Sequence, residues 1–186
     1  MKILPTTIDG PLIIEPDIYG DHRGYFMETY RYERLQLLGI ETEFIQDNLS
    51  FSVKNTLRGL HYQINHPQAK LVQAITGEIY DVVVDIRKNS PTFGKWVGAL
   101  LSEENKRQFY IPEGFAHGFY VMSESAHFVY KCSDYYNSQD EGGILWSDPD
   151  IGIEWPVKEP IISDKDQHYP GLNNLPNDKL PIVNNL

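Results

Sequence analysis

Apolar and polar positions along this chain recur at short range, mostly every second residue. The run Glu78–Arg87 is the clearest case. Tyr80, Val82, Val84 and Ile86 fall on one face by alternation, and Ile79, Asp81, Val83 and Asp85 on the other. Apolar residues on both faces predict a central strand covered on both sides. Similar short runs occupy 42–51, 57–63, 70–75, 95–101, 107–111, 126–132 and 144–146, and broken ones lie between Pro5, Pro11 and Pro16. Thr76-Gly77 is expected as a tight hairpin between 70–75 and 78–87. Glu141-Gly142-Gly143 is expected as loop. Helical spacing is clear only over 30–38, ending at Gly39, where a left-handed cap is wanted. Many short strands, turn-rich joints and one helix predict an all-β sandwich or double-sheet barrel. Residues 1–170 read as one domain and 171–186 as a loose tail.

Composition narrows the function. The 186 residues include 12 tyrosines, 14 glycines and 12 prolines, which favours strands and turns over helices. A net charge of −10 argues against nucleic acid, which needs a basic surface, but leaves room for a small anion where cations converge. The single cysteine, Cys132, permits no intrachain disulfide and fits a reducing compartment. No apolar run of about 18 residues suggests a membrane span, and the N-terminus lacks a signal-peptide pattern. A cytoplasmic location is expected.

Chemistry concentrates in Leu57-Arg58-Gly59-Leu60-His61-Tyr62-Gln63, which reads as one wall of a polar cavity. Regular alternation would send Arg58 and His61 to opposite faces. Either Gly59 breaks the pleat, or Arg58 serves another part of the site, such as that of a neighbouring subunit. Gln46 and Asn48 share a strand face, with Asp47 opposite. Asp85 could orient a histidine or pair with an arginine, since a buried carboxylate needs a partner.

Pro112-x-Gly114-x-x-His117 resembles the second half of the cupin signature, which implies a cupin-type jelly-roll double-sheet barrel with a few short helices. The first half of that signature carries His-x-His and then Glu. Here the histidine pair reads His61-Tyr62-Gln63, and the glutamate position, counted back from Gly77, holds Lys70. A divalent metal needs about three or four neutral or anionic ligands, and a lysine among them repels it. No catalytic metal is expected, and Lys70 is positioned to meet a developing oxyanion instead.

A longer ordered set of motifs resembles the dTDP-4-dehydrorhamnose 3,5-epimerase family. It comprises Gly20-Asp21-x-Arg23-Gly24-x-Phe26, Gln46-Asp47-Asn48, Leu57-Arg58-Gly59-Leu60-His61, Val84-Asp85-Ile86-Arg87, Ser90-Pro91-Thr92-Phe93-Gly94, Ile111-Pro112 through Phe119, and Ile151-Gly152-Ile153-x-Trp155-Pro156. The resemblance implies cofactor-independent epimerisation of a dTDP-4-keto-6-deoxy sugar in the rhamnose pathway by a homodimer. It implies His61 as base, Tyr130 as acid, Lys70 beside the keto oxygen and Asp166 as the partner of His61, with Asp85 the alternative. By the same resemblance Arg23, Glu28, Gln46, Asp47, Asn48, Arg58, His117, Glu141 and Lys165 contact the nucleotide sugar, and Tyr136 stacks on the thymine. The N-terminal strands are candidates for exchange between subunits. A narrower relative, epimerising one carbon or isomerising the ketone, would use the same residues.

Overall fold

The computed structural model describes residues 1–183. Thirteen strands are present among these residues: β1 (Lys2–Pro5), β2 (Leu12–Glu15), β3 (Ile18–Asp21), β4 (Gly24–Met27), β5 (Gln46–Val53), β6 (Leu57–Gln63), β7 (Lys70–Thr76), β8 (Glu78–Asp85), β9 (Trp96–Ser102), β10 (Gln108–Ile111), β11 (Phe115–Val121), β12 (Ser125–Cys132) and β13 (Glu141–Gly143). Helix α1 (Tyr32–Gln36) is shorter than the 30–38 pattern, and a one-turn helix α2 (Asp164–Gln167) follows the strands.

Two antiparallel sheets face each other. One runs β1-β2-β10-β7-β12-β5 and the other β13-β6-β11-β8-β9. This is the expected jelly-roll layering. The core between the sheets draws on both, through Val72, Phe109 and Phe128 from one and Ile79, Val83 and Phe119 from the other. As the alternation in 78–87 predicts, the opposite face of β8 is also covered. Val84 and Ile86 pack with Leu60, Ile144 and Ile151. The outer face of the six-stranded sheet is only partly covered, where α1 brings Leu35 against Ile14 and Leu71.

Three expectations need correction. Thr76-Gly77 is not a hairpin: β7 pairs with β10 and β12, whereas β8 pairs with β9 and β11 in the other sheet. The chain turns a corner at Gly77, whose φ of +76° and contact with the Ser125 carbonyl exclude a side chain. The strand expected at 144–146 lies instead at Glu141–Gly143, paired with Gln63, Tyr62 and His61. Finally, the stretch from Gly171 is tied down. Leu172 and Leu180 are buried, the Tyr62 hydroxyl donates to the Lys179 carbonyl, and the Ile182 N–H to that of Ile64. Residues 184–186 of that stretch lie outside the described residues.

Candidate active site

The layering places polar side chains at one end of the space between the sheets. Strand β6 contributes His61 and Gln63, β11 His117 and β8 Asp81 from the five-stranded sheet. Strand β7 contributes Lys70, β12 Tyr130 and Cys132, and β5 Gln46, Asn48 and Ser50 from the other. Two adjoining compartments result. The inner one, about 200 Å³, is lined by Ser50, Arg58, His61, Lys70, His117 and Tyr130 among others. The outer one, about 310 Å³, is lined by Gln46, Asn48, His61, Gln63, Lys70, Tyr130, Tyr136 and Glu141 among others. His61, Lys70 and Tyr130 belong to both.

The problem of Arg58 and His61 is resolved at Gly59. Opposite β11 the register slips by one residue: His117 pairs with His61, but Phe119 pairs with Arg58. The extra residue in β6 is a bulge that brings both side chains to the same compartment. Gly59 has φ +126°, and a Cβ there would lie 2.5 Å from the Gly118 Cα. The bulge also turns the Gly59 N–H towards Asp166 Oδ2, at 3.2 Å.

Asp166, not Asp85, is the partner of His61. His61 Nε2 lies 2.8 Å from Asp166 Oδ1. Burial alone would push the Asp166 carboxyl up, but His61, the Gly59 N–H and Ser163 outweigh this and hold it below the usual carboxylate range. An ionised carboxylate only accepts, so Nε2 carries the hydrogen and Nδ1 carries the lone pair. Asp85 is occupied elsewhere, by Arg87 Nη2 at 2.7 Å, Ser90 Oγ at 2.5 Å and Thr92 Oγ1 at 2.6 Å.

Lys70 is half-buried between the sheets, and burial draws it below the ordinary ammonium range, opposed by Cys132, Asp81 and Glu141. Burial raises the Tyr130 phenol, with Cys132 adding to the rise and Arg58 opposing it, so the hydroxyl is protonated at neutral pH. His117 Nε2 lies 2.9 Å from Asp81 Oδ1, and burial pulls that imidazole below its usual range despite the carboxylate. Of the four signature positions, then, two hold histidines, one an amide and one a cation. Among the described residues, no group of three His, Cys, Asp or Glu side chains is placed to hold a metal ion.

At the mouth, Lys165 Nζ donates to Glu141 at 2.9 Å, and the Tyr136 hydroxyl donates to the same carboxylate at 3.0 Å. Gln46 Oε1 accepts from the Tyr136 N–H, and Gln63 exchanges two hydrogen bonds with the Asn137 backbone. These amides brace the loop that carries Tyr136. Three expected residues are not brought to the cavity within this chain. Asp47 points to the outer face and pairs with Lys131 at 2.8 Å. Arg23 sits at the tip of the exposed β3–β4 hairpin, paired with Asp21. Glu28, just beyond that hairpin, pairs with Arg31 and Arg34.

Sequence reasoning missed Asp81 as the support of His117, although it had no assigned partner. It also missed Ser50, whose buried hydroxyl faces the inner compartment and has no hydrogen-bond partner among the described residues.

The family model described as dTDP-4-dehydrorhamnose 3,5-epimerase matches residues 5–174. A Shigella flexneri protein of that name is 56% identical over 168 residues, covering 89% of this chain and 93% of its own. One from Methanothermobacter thermautotrophicus is 52% identical over 178 residues, covering 94% of this chain and 96% of its own. The crystal structure of dTDP-6-deoxy-D-glucose-3,5-epimerase from Legionella pneumophila Philadelphia 1, in complex with dTDP-4-keto-L-rhamnose, superposes with a TM-score of 0.94 at 53% identity. That match covers 98% of both chains.

Proposed function

The chain belongs to the dTDP-4-dehydrorhamnose 3,5-epimerase family, and on that premise we propose how its cavity moves the protons. The reaction is epimerisation of dTDP-4-dehydro-6-deoxy-D-glucose at carbons 3 and 5, giving dTDP-4-dehydro-L-rhamnose. The ketone at carbon 4 acidifies the hydrogens at both neighbouring carbons. His61 Nδ1 takes one of them as base, while Asp166 holds the tautomer and steadies the imidazolium that forms. Electrons move into an enolate whose oxygen is met by the Lys70 ammonium. Tyr130 returns a proton to the opposite face of the ring, and the centre inverts.

One observation carries this reading. His61 stands on the five-stranded sheet and Tyr130 on the six-stranded sheet, and both line the same two compartments. A base and an acid on facing walls are what inversion of a planar enolate requires. Arg58 suits the diphosphate, which a guanidinium grips in bidentate fashion. Tyr136, Glu141, Lys165, Gln46 and Asn48 surround the nucleotide, and His117 and Ser50 meet the sugar.

Arg23 and Glu28 reach substrate in this reading through a homodimer, each arm entering the partner's site. The β3–β4 hairpin joins neither large sheet and exposes Tyr19 and Phe26, the latter 69% exposed. Leu49, Phe51, Val53 and Ile75 likewise stand exposed on the outer sheet face, which suits a second copy. Among the described residues no helix is long and apolar enough to cross a membrane. The single cysteine, free and buried, supports the reading of a cytoplasmic enzyme.

Solvent exchange tests the mechanism. With substrate in deuterated water, deuterium should enter at carbons 3 and 5, unaffected by prior dialysis against a chelator. The His61→Ala variant should show none. Exchange that survives in His61→Ala removes the base assignment, and loss of activity on chelation removes the metal-free mechanism.

A further inference from the structure

The flank of His61 facing β13 carries a residue that the mechanism above does not use. In the five-stranded sheet His61 has two cross-strand neighbours: His117 on β11 and Gly143 on β13. Directly opposed side chains in such a pair normally pack on each other. His117 has a side chain to offer on one side, but Gly143 has none on the other. The place is filled from elsewhere. The ring of Tyr169 lies against Gly143 so closely that a Cβ on that glycine would overlap three of its carbons. The same ring meets the His61 imidazole edge-on, with centroids 5.9 Å apart and planes at 68°. Strand β13 is the edge of its sheet. An aromatic ring laid over an edge glycine is a known way of restoring cross-strand packing.

The segment that delivers Tyr169 is held at both ends. Three residues earlier stands Asp166, in the turn of helix α2 begun by Ser163, whose Oγ accepts the Asp166 N–H at 3.2 Å. Immediately after it, the Pro170 carbonyl accepts the Leu145 N–H at 2.9 Å. A residue before proline is also restricted to extended backbone. One short, braced stretch therefore presents both the carboxylate that binds Nε2 and the ring that blocks the flank of the imidazole. Tyr169 itself is half-buried.

We propose that Tyr169 is a positioning residue for His61, its ring replacing the cross-strand side chain that Gly143 lacks and keeping the imidazole from swinging away from the substrate carbon. The proposal rests on His61 being the base. It needs the ring rather than the phenol hydroxyl, so phenylalanine should serve. A misplacement of about 1 Å in a catalytic group can cost around a hundredfold in rate.

The experiment measures kcat, KM and deuterium incorporation for five variants, with thermal unfolding as the folding control. Tyr169→Phe should stay within about twofold of the parent in kcat. Tyr169→Ala should lose roughly 10- to 100-fold in kcat with KM changed less than about twofold, the pattern of a lost transition-state arrangement rather than lost binding. Gly143→Ala keeps the tyrosine but takes its space, and should reproduce that loss. The double variant should be no worse than Tyr169→Ala, because both changes remove one contact. Full kcat in Tyr169→Ala, or a rise in KM alone, overturns the proposal. So do additive losses in the double variant. If Tyr169→Ala unfolds early, Gly143→Ala and Tyr169→Phe still decide, since equal kcat in both overturns the idea. His61→Ala in the same assay separates the two readings. If it retains exchange, the base assignment fails. If it is inert while Tyr169→Ala is fully active, only the positioning role fails.

Discussion

The protonation of one imidazole nitrogen decides what His61 can do. Asp166 fixes the hydrogen on Nε2, and only then is Nδ1 free to take a proton from carbon. Tyr130 is complementary: burial keeps its phenol protonated until it is needed. Replacing Tyr130 by phenylalanine should therefore leave abstraction largely intact while slowing inversion by about 10²- to 10⁴-fold, the usual worth of a general acid. Comparing the rate of deuterium incorporation with the rate of product formation checks this; equal losses in both would remove Tyr130 as the returning acid. At this scale the sequence was informative where motif spacing is local. His61, Lys70 and His117 follow from comparison with a metal-binding signature, because the residues that break that signature are themselves chemical. Asp166 is different. It lies 105 residues from His61, and no periodicity connects a one-turn helix to a strand over that distance, so only the family resemblance named it.

Elements set the geometry within which those residues act. The bulge at Gly59 does two things: it turns Arg58 into the cavity and offers the Gly59 N–H to Asp166. Gly59→Ala should cost about 3 kcal/mol or more, from a positive φ and overlap with Gly118 together. Denaturant unfolding measures this, and a loss below about 1 kcal/mol would mean the bulge relaxes readily. A second element-level device closes the end of β8. Burial would raise the Asp85 carboxyl, but Arg87, Ser90 and Thr92 outweigh it and lower it overall. A carboxyl that titrates lower in the fold than in the unfolded chain stabilises above its unfolded value, near pH 4, and loses that contribution as pH falls through the folded value. Asp85→Asn should thus be less stable at pH 7 and show a shallower decline between about pH 5 and pH 2. Parallel stability curves for the two proteins would refute the assignment. The alternation in 78–87 correctly announced a doubly covered strand with carboxylates in need of partners. The supposed hairpin at Thr76-Gly77 shows the limit of such patterns. A strand alternates in the same way whether its successor pairs beside it or crosses to the facing sheet, so the pattern says nothing of the partner.

For the whole molecule, the proposed homodimer would carry Arg23 and Glu28 to a cavity that their own chain does not bring them to. Mixing two inactive variants distinguishes the possibilities. Under that proposal, Arg23→Ala and His61→Ala proteins, each impaired alone, should regain activity after subunit exchange if each arm serves its partner's site. A chain that was Arg23→Ala would then keep an intact His61 and borrow an intact Arg23. No recovery after verified exchange would mean that the arm acts within its own chain. Some properties of this protein were legible in the sequence because they depend on neighbours in the chain: strand alternation, turn residues, the charged substitutions in a metal-site motif, and a family resemblance read from ordered motifs. Others were decided only by the tertiary structure: the choice of Asp166 over Asp85, the Tyr169 ring over Gly143, the two-sheet path at Gly77 and the facing placement of His61 and Tyr130. Each of these joins groups far apart in sequence. Their meeting depends on how two sheets close around a shared interior, and local pattern carries no record of that closure.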